Sequence, residues 1–242
     1  MGTVSWAEAM PRYLAPDDMA RAEGRRRAAR HLYLSDHGVL RTLYDNTHWI
    51  DERMARSFQP SPAHIRRWAS LGVRAVVNLR GTRWEAEQPG YYWLEREACA
   101  AHGIVLHDCR AFSREAPRRE FVLGFDALLG EIAYPCVMHC KSGADRAGMA
   151  SALYAFLHGG QPLARAREQL SFRYGHVRAG KTGILDAFWD AYEDAVARDG
   201  AAATPDHFRH WVRARYDRQA VIAGFRPSVL GSLLTERILR RE

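Results

Sequence analysis

Residues 135–160 read PCVMHCKSGADRAGMASALYAFLHGG: an apolar run, then Cys140 and Arg146 on a glycine-bearing loop, then an Ala-rich apolar stretch. Both residue types carry chemistry. A thiolate is a nucleophile, and a guanidinium offers two parallel N–H donors to a pair of phosphate oxygens. A loop that leaves a strand and enters a helix turns its backbone N–H groups toward one point, where the helix N-terminus adds partial positive charge. Gly143 lets the chain bend back with those amides inward, making a nest that binds an oxyanion. Such surroundings lower a cysteine pKa from about 8.5 into the range of about 3.5–7.5. Cys140 and Arg146 therefore read as a nucleophile with its electrostatic stabiliser, aimed at phosphorus.

The elements that must hold this loop alternate along the chain. MARSFQ (54–59), VRAVVNL (73–79), IVLHD (104–108) and PCVMH (135–139) are short apolar runs of strand length. Between them, SPAHIRRWASLG has helix-start chemistry and a Gly stop, and EREACAAHG is helical to Gly103. A helix over 113–132 is expected, with Ser113 as its cap, Pro117 early, and Phe121, Phe125, Leu128 and Leu129 on one face. The stretch from Arg146 to Leu157 is the next helix. The expected fold class is α/β, with a small, mostly parallel central sheet of about four to five strands flanked by helices. Helical patterns also cover PDDMARAEGRRRAARHLYL, HGVLRTLYDN, PLARAREQLSF and TGILDAFWDAYEDAVA. One further helical period runs through HFRHWVRARYDRQAVIAGF, after the loop AAATPD. The domain expectation is a basic helical N-terminal extension over 1–49, a catalytic domain over 50–195, and a helical C-terminal extension over 196–242 packed on it.

Composition narrows the class. The chain has 242 residues, 47% hydrophobic and 26% charged, as in ordinary globular proteins. No apolar run approaches the roughly 18 residues of a membrane span, and the first residues lack a basic start followed by an apolar stretch. Cytoplasmic residence is expected. Cys99, Cys109, Cys136 and Cys140 form no CxxC pair and no zinc-like cluster with His, so neither metal nor a disulfide framework is expected. The net charge of +7 favours anionic partners. Five arginines fall within RAEGRRRAAR (21–30), a solvated helix face or a peripheral contact for an anionic membrane. No aromatic-interleaved basic motif points to nucleic acid.

His139-Cys140-Lys141-Ser142-Gly143-Ala144-Asp145-Arg146 resembles the H-C-x-x-G-x-x-R signature loop of the protein tyrosine phosphatase superfamily. It looks most like the compact dual-specificity branch, which includes bacterial and inositol-phosphate-directed members. The resemblance implies a phosphomonoesterase that needs no cofactor. Cys140 would form a cysteinyl-phosphate, and Lys141, Ser142, Gly143, Ala144, Asp145 and Arg146 would bind the phosphate. The family's general acid is usually an Asp on an earlier loop. Asp108 lies in that region, either as the acid or as a strand-end residue capping a turn, with Glu115 as the fall-back. Two departures stand out. Ala147 occupies the place where the family commonly carries a hydroxyl that eases departure of the thiolate. Asp145 puts a carboxylate inside an anion loop, so it is expected to point outward and pair with Arg80 or a neighbouring Arg.

Other residues keep two readings each. Lys141 is a cleft-rim cation or a solvated one, and His139 orients the loop or acts as a base. Arg80 is a second anion contact or half of a structural ion pair. Cys109 and Cys136 are ordinary buried thiols or disulfide partners of an oxidised nucleophile. Arg173, His176, Arg178 and Lys181 contact distal substrate charges or form a solvated connection. Three other classes fit parts of the sequence. These are a phosphate-binding module without turnover, an arsenate reductase or sulfurtransferase using the same Cys-x5-Arg loop, and a basic nucleic-acid or membrane-surface protein.

Overall fold

The computed structural model describes residues 13–36, 38–39, 45–82 and 87–228. In chain order its strands are β1 (Tyr13–Leu14), β2 (His48–Trp49), β3 (Met54–Ser57), β4 (Ala75–Asn78), β5 (Gln88–Pro89), β6 (Val105–Asp108) and β7 (Cys136–His139). Its α-helices are α1 (Ala22–Arg30), α2 (Pro62–Ser70), α3 (Gly90–Ala101), α4 (Arg119–Glu131), α5 (Asp145–Leu157), α6 (Leu163–Arg167), α7 (Ile184–Asp199), α8 (Pro205–Ala214) and α9 (Arg218–Gly224).

The central sheet has the order β2-β3-β7-β4-β6. It is α/β and mostly parallel: only the short edge strand β2 runs antiparallel, against β3. The register aligns Ser57, His139 and Asn78 across three strands, and Asn78 with Asp108. Four strands thus end at one edge, the edge where parallel α/β sheets bind ligands. β7 sits in the middle, so the loop that follows it emerges at the centre.

Strand side chains alternate between two cores, as the pleat requires. Ala75, Val77, Cys136 and Met138 face one cluster, with Phe125, Leu153, Phe156, Phe188 and Trp189. Val76 and Val137 face the other, with Ile65, Trp68 and Cys99. α5 is buried on nearly all sides between the sheet and the outer helices, which explains its Ala-rich sequence without a polar stripe. The aromatic residues of α7 and α8 close this core, with Trp189 and Phe208 stacked at a centroid separation of 5.3 Å. Among the described residues, no helix is long and apolar enough to cross a membrane.

Boundaries differ from the sequence expectation in several places. The helix expected from Ser113 starts only at Arg119. Cys109 N–H and Ala111 N–H donate to Asn78 O and Leu79 O, so the chain stays extended after β6. Pro117 also disfavours helical geometry at Ala116. The single helix expected from His207 onward is two, α8 and α9. The Asp217 carboxylate caps the second by accepting from Gln219 N–H and Ala220 N–H. The first basic helix is a short 3-10 segment (Pro16–Ala20) followed by α1, which buries Gly24 and Ala28. The second short helix read at 37–46 lies largely outside the described residues.

Candidate active site

The loop from Cys140 to Ala144 runs from the end of β7 into α5, whose first residues are Asp145 and Arg146. Cys140 is buried. Gly143 adopts φ 75°, in the left-handed region that favours glycine. A Cβ there would lie 3.0 Å from the Ser57 carbonyl and 3.1 Å from Asn46 Nδ2. The position therefore needs both the conformational freedom and the small size.

Consecutive carbonyls of the loop are each held by a donor. Lys141 O accepts from Gln59 N–H at 3.2 Å, and Ser142 O accepts from Asn46 Nδ2 at 3.0 Å. Gly143 O and Ala144 O both accept from Arg56 Nη2, at 2.7 and 3.0 Å. A trans peptide is planar, with its C=O and N–H on opposite sides. Fixing these four carbonyls therefore turns the N–H groups of Ser142, Gly143, Ala144 and Asp145 the other way, as an anion nest requires.

Beside the loop is a cleft of about 270 Å³ lined by Arg80, Arg110, Arg114, Lys141 and Arg146, with Glu115 as its carboxylate. Arg146 makes no hydrogen bond, ion pair or ring contact within the described residues. Arg80 differs. Its guanidinium forks onto Asp36 at 2.9 and 3.0 Å and lies over the Tyr91 ring at 3.6 Å, so its charge is compensated. A further Arg80 donor reaches Gln59 Oε1, and Gln59 Nε2 donates to Glu95 Oε2. The other Glu95 oxygen lies 2.5 Å from His139 Nε2, out of line for a hydrogen bond. His139 is thus enclosed behind the loop.

Asp145 pairs with no arginine among the described residues. It turns into the protein, where His176 bridges it and Asp186 at 2.7 Å on each side. Burial alone would lower the His176 pKa. The two carboxylates more than offset this and hold it up at about 9. His176 therefore supports the loop from within. Arg178 pairs with Asp190 on α7.

Asp108 and Glu115 separate. Both Asp108 oxygens accept hydrogen bonds at 2.8 Å, from Asn78 Nδ2 and from the Tyr92 hydroxyl. Burial, and then this bond, raise the Tyr92 pKa and keep it a donor. Asp108 faces a neighbouring apolar depression with Phe121 and Phe125 and is not among the residues lining the basic cleft. Glu115 is, with its carboxylate accepting from Arg218 Nη2 of α9 at 2.9 Å.

The remaining thiols are chemically quiet. Cys136 starts the strand that ends before Cys140, roughly 13 Å away at about 3.3 Å per residue, whereas a disulfide needs Cα atoms about 4.4–6.8 Å apart. Burial pushes the Cys136 thiol up, and burial followed by Asp108 pushes Cys109 up to about 11. Among the described residues, no group of His, Cys, Asp and Glu is arranged to hold a metal.

The sequence profile of the tyrosine phosphatase family matches residues 36–164, more than half of the chain. The chain belongs to the tyrosine phosphatase family. The match takes in Asn46, Arg56, Arg80 and the whole loop, and leaves His176, Asp186 and Arg218 beyond it. No curated protein sequence matches significantly. Similar solved structures include P. aeruginosa TpbA, with 16% identity, covering 70% of this chain and 91% of that one, at a TM-score of 0.49. Tk-PTP in its active form shares 19% identity, covering 61% and 98%, at 0.46. PTPMT1 shares 18%, covering 63% and 99%, at 0.43.

Proposed function

We propose that this tyrosine phosphatase family member hydrolyses phosphomonoesters through a cysteinyl-phosphate on Cys140. Arg146 carries the proposal: a guanidinium with no counter-ion among the described residues lines a cleft beside a loop whose amides are turned away from their anchored carbonyls. That arrangement suits the three equatorial oxygens of a transferring phosphoryl group. The Cys140 sulfur attacks phosphorus and forms the S–P bond as the P–O bond to the leaving group breaks. We assign to Glu115, whose carboxylate lines the cleft, the proton that the leaving oxygen takes up. Water then attacks the cysteinyl-phosphate, gives its proton to Glu115, and releases inorganic phosphate with Cys140 restored. Ala147 is fully buried and offers no hydroxyl to the departing sulfur, so this second step is the slow one.

Arg110, Arg114 and Lys141 line the same cleft and favour substrates of high negative charge. Phosphoproteins, inositol phosphates, sugar phosphates and lipid headgroups are the classes to compare. The test is hydrolysis of p-nitrophenyl phosphate in chelator, with vanadate as inhibitor. Wild type should turn over without metal, with a burst of nitrophenol followed by slower release, and Cys140→Ser should be inert. Continued turnover by Cys140→Ser would end the proposal.

A further inference from the structure

We infer that Arg56 and Asn46 are positioning residues for phosphoryl transfer, aiming the loop amides from behind; this rests on the phosphatase reading above. Arg56 lies in the middle of β3 and is 0% exposed. A buried guanidinium is costly unless its hydrogen bonds are met. Arg56 directs one nitrogen to Gln169 O and Gln169 Oε1, at 2.6 and 3.0 Å. Its other terminal nitrogen goes to the two loop carbonyls Gly143 O and Ala144 O. Its face lies over the Tyr174 ring at 4.1 Å. Asn46 completes the clamp, because Nδ2 donates both to Ser142 O and to Tyr174 O, each at 3.0 Å. The segment 169–174 thus ties the two clamps together.

The contact fixes the loop in two ways. Each anchored carbonyl sets the direction of the following N–H through the planar peptide. A cation on the carbonyl side also polarises the same peptide units, so their N–H ends become better donors to an anion. The fit leaves no slack: a Cβ on Gly148 of α5 would lie 3.3 Å from Arg56 Nη2 and 2.9 Å from Gln169 O. Arg56 and Asn46 hold the carbonyl side of the loop, opposite its turned-out amides, so they act on the substrate through the loop.

The test separates aiming from folding and from catalysis. Arg56→Met, Arg56→Lys and Asn46→Ala are made in wild type and in Cys140→Ser. Inorganic phosphate affinity is measured calorimetrically in the Cys140→Ser background, kcat and KM in the active one, and cooperative melting in both. Arg56→Met should bind phosphate at least tenfold more weakly and lose about 100-fold in kcat, the loss typical of removing an oxyanion donor, while still melting cooperatively. Arg56→Lys, which keeps the charge and loses the fork, should recover only part of each. A purely structural role predicts a lower melting temperature with phosphate affinity and kcat of the folded protein within about twofold of the parent, and would overturn the inference. If the Arg56 variants do not fold, Asn46→Ala decides by the same measures, with a fivefold or greater loss of affinity expected. Phosphate binding that depends on these residues in a protein without turnover would sink the phosphatase reading alone.

Discussion

His176→Gln tests how the loop is braced. In the native protein, His176 is 2% exposed and sits between Asp145 and Asp186, 5% and 6% exposed, at 2.7 Å from each. Burial works against the charged imidazole, but the two carboxylates raise its pKa from 6.5 to about 9. At about 1.4 kcal/mol per pH unit, that shift is worth on the order of 3 kcal/mol of folding stability. Because the folded-state pKa is raised, this contribution is complete below the unfolded value near 6.5 and is lost as pH rises through about 9. Removing one partner of a buried ion pair independently costs about 3–5 kcal/mol. Urea unfolding of wild type and His176→Gln, followed by tryptophan fluorescence at about pH 6 and about pH 9.5, measures both quantities. Wild type should lose on the order of 3 kcal/mol more than the variant across that interval, and the variant should begin at least that much lower. A variant within about 1 kcal/mol of wild type at the lower pH, or with the same pH slope, would refute the ion triad as a brace.

Gly143→Ala should cost about 1–3 kcal/mol from its left-handed backbone and cut turnover more than tenfold through contact with Ser57, read by thermal melts and p-nitrophenyl phosphate assays. Glu115→Gln should slow an alkyl phosphate far more than an aryl phosphate, because only the poor leaving group needs a proton. Asp108→Asn should slow both equally and slightly; the reverse pattern returns the acid role to Asp108. Phe208→Ala should cost about 3–5 kcal/mol in urea unfolding, since its ring is buried among Phe156, Phe188 and Trp189.

Cys140 and Arg146 were legible because both belong to one loop, where spacing along the chain is spacing in space. Three of the four parallel strands, β3, β4 and β7, were legible as short runs buried on both faces, and β6 as an apolar run although it lies at the sheet edge and is partly exposed. Arg56 and Asn46 were not, since their loop targets lie 87 to 96 residues downstream. A signal for Arg56 did exist: MARS is a fully buried strand, and an arginine inside it must serve some set of acceptors. Asp108 was read from its strand-end position, which does place it on the correct edge. What spacing could not reveal is that Asn78 and Tyr92 occupy both of its oxygens. His176 looked like part of a solvated cluster because its two carboxylate partners come from separate helices. Asp145 broke the expectation of an arginine partner for the same reason.

The most direct test of Cys140 as the nucleophile is acid quench of the enzyme within its first turnovers of p-nitrophenyl phosphate, followed by mass spectrometry of the peptide bearing Cys140. One phosphoryl group on that cysteine, appearing with the nitrophenol burst and decaying at the steady-state rate, is the predicted result. Turnover with no adduct at Cys140 at any time, or with the phosphoryl group on another residue, would contradict it.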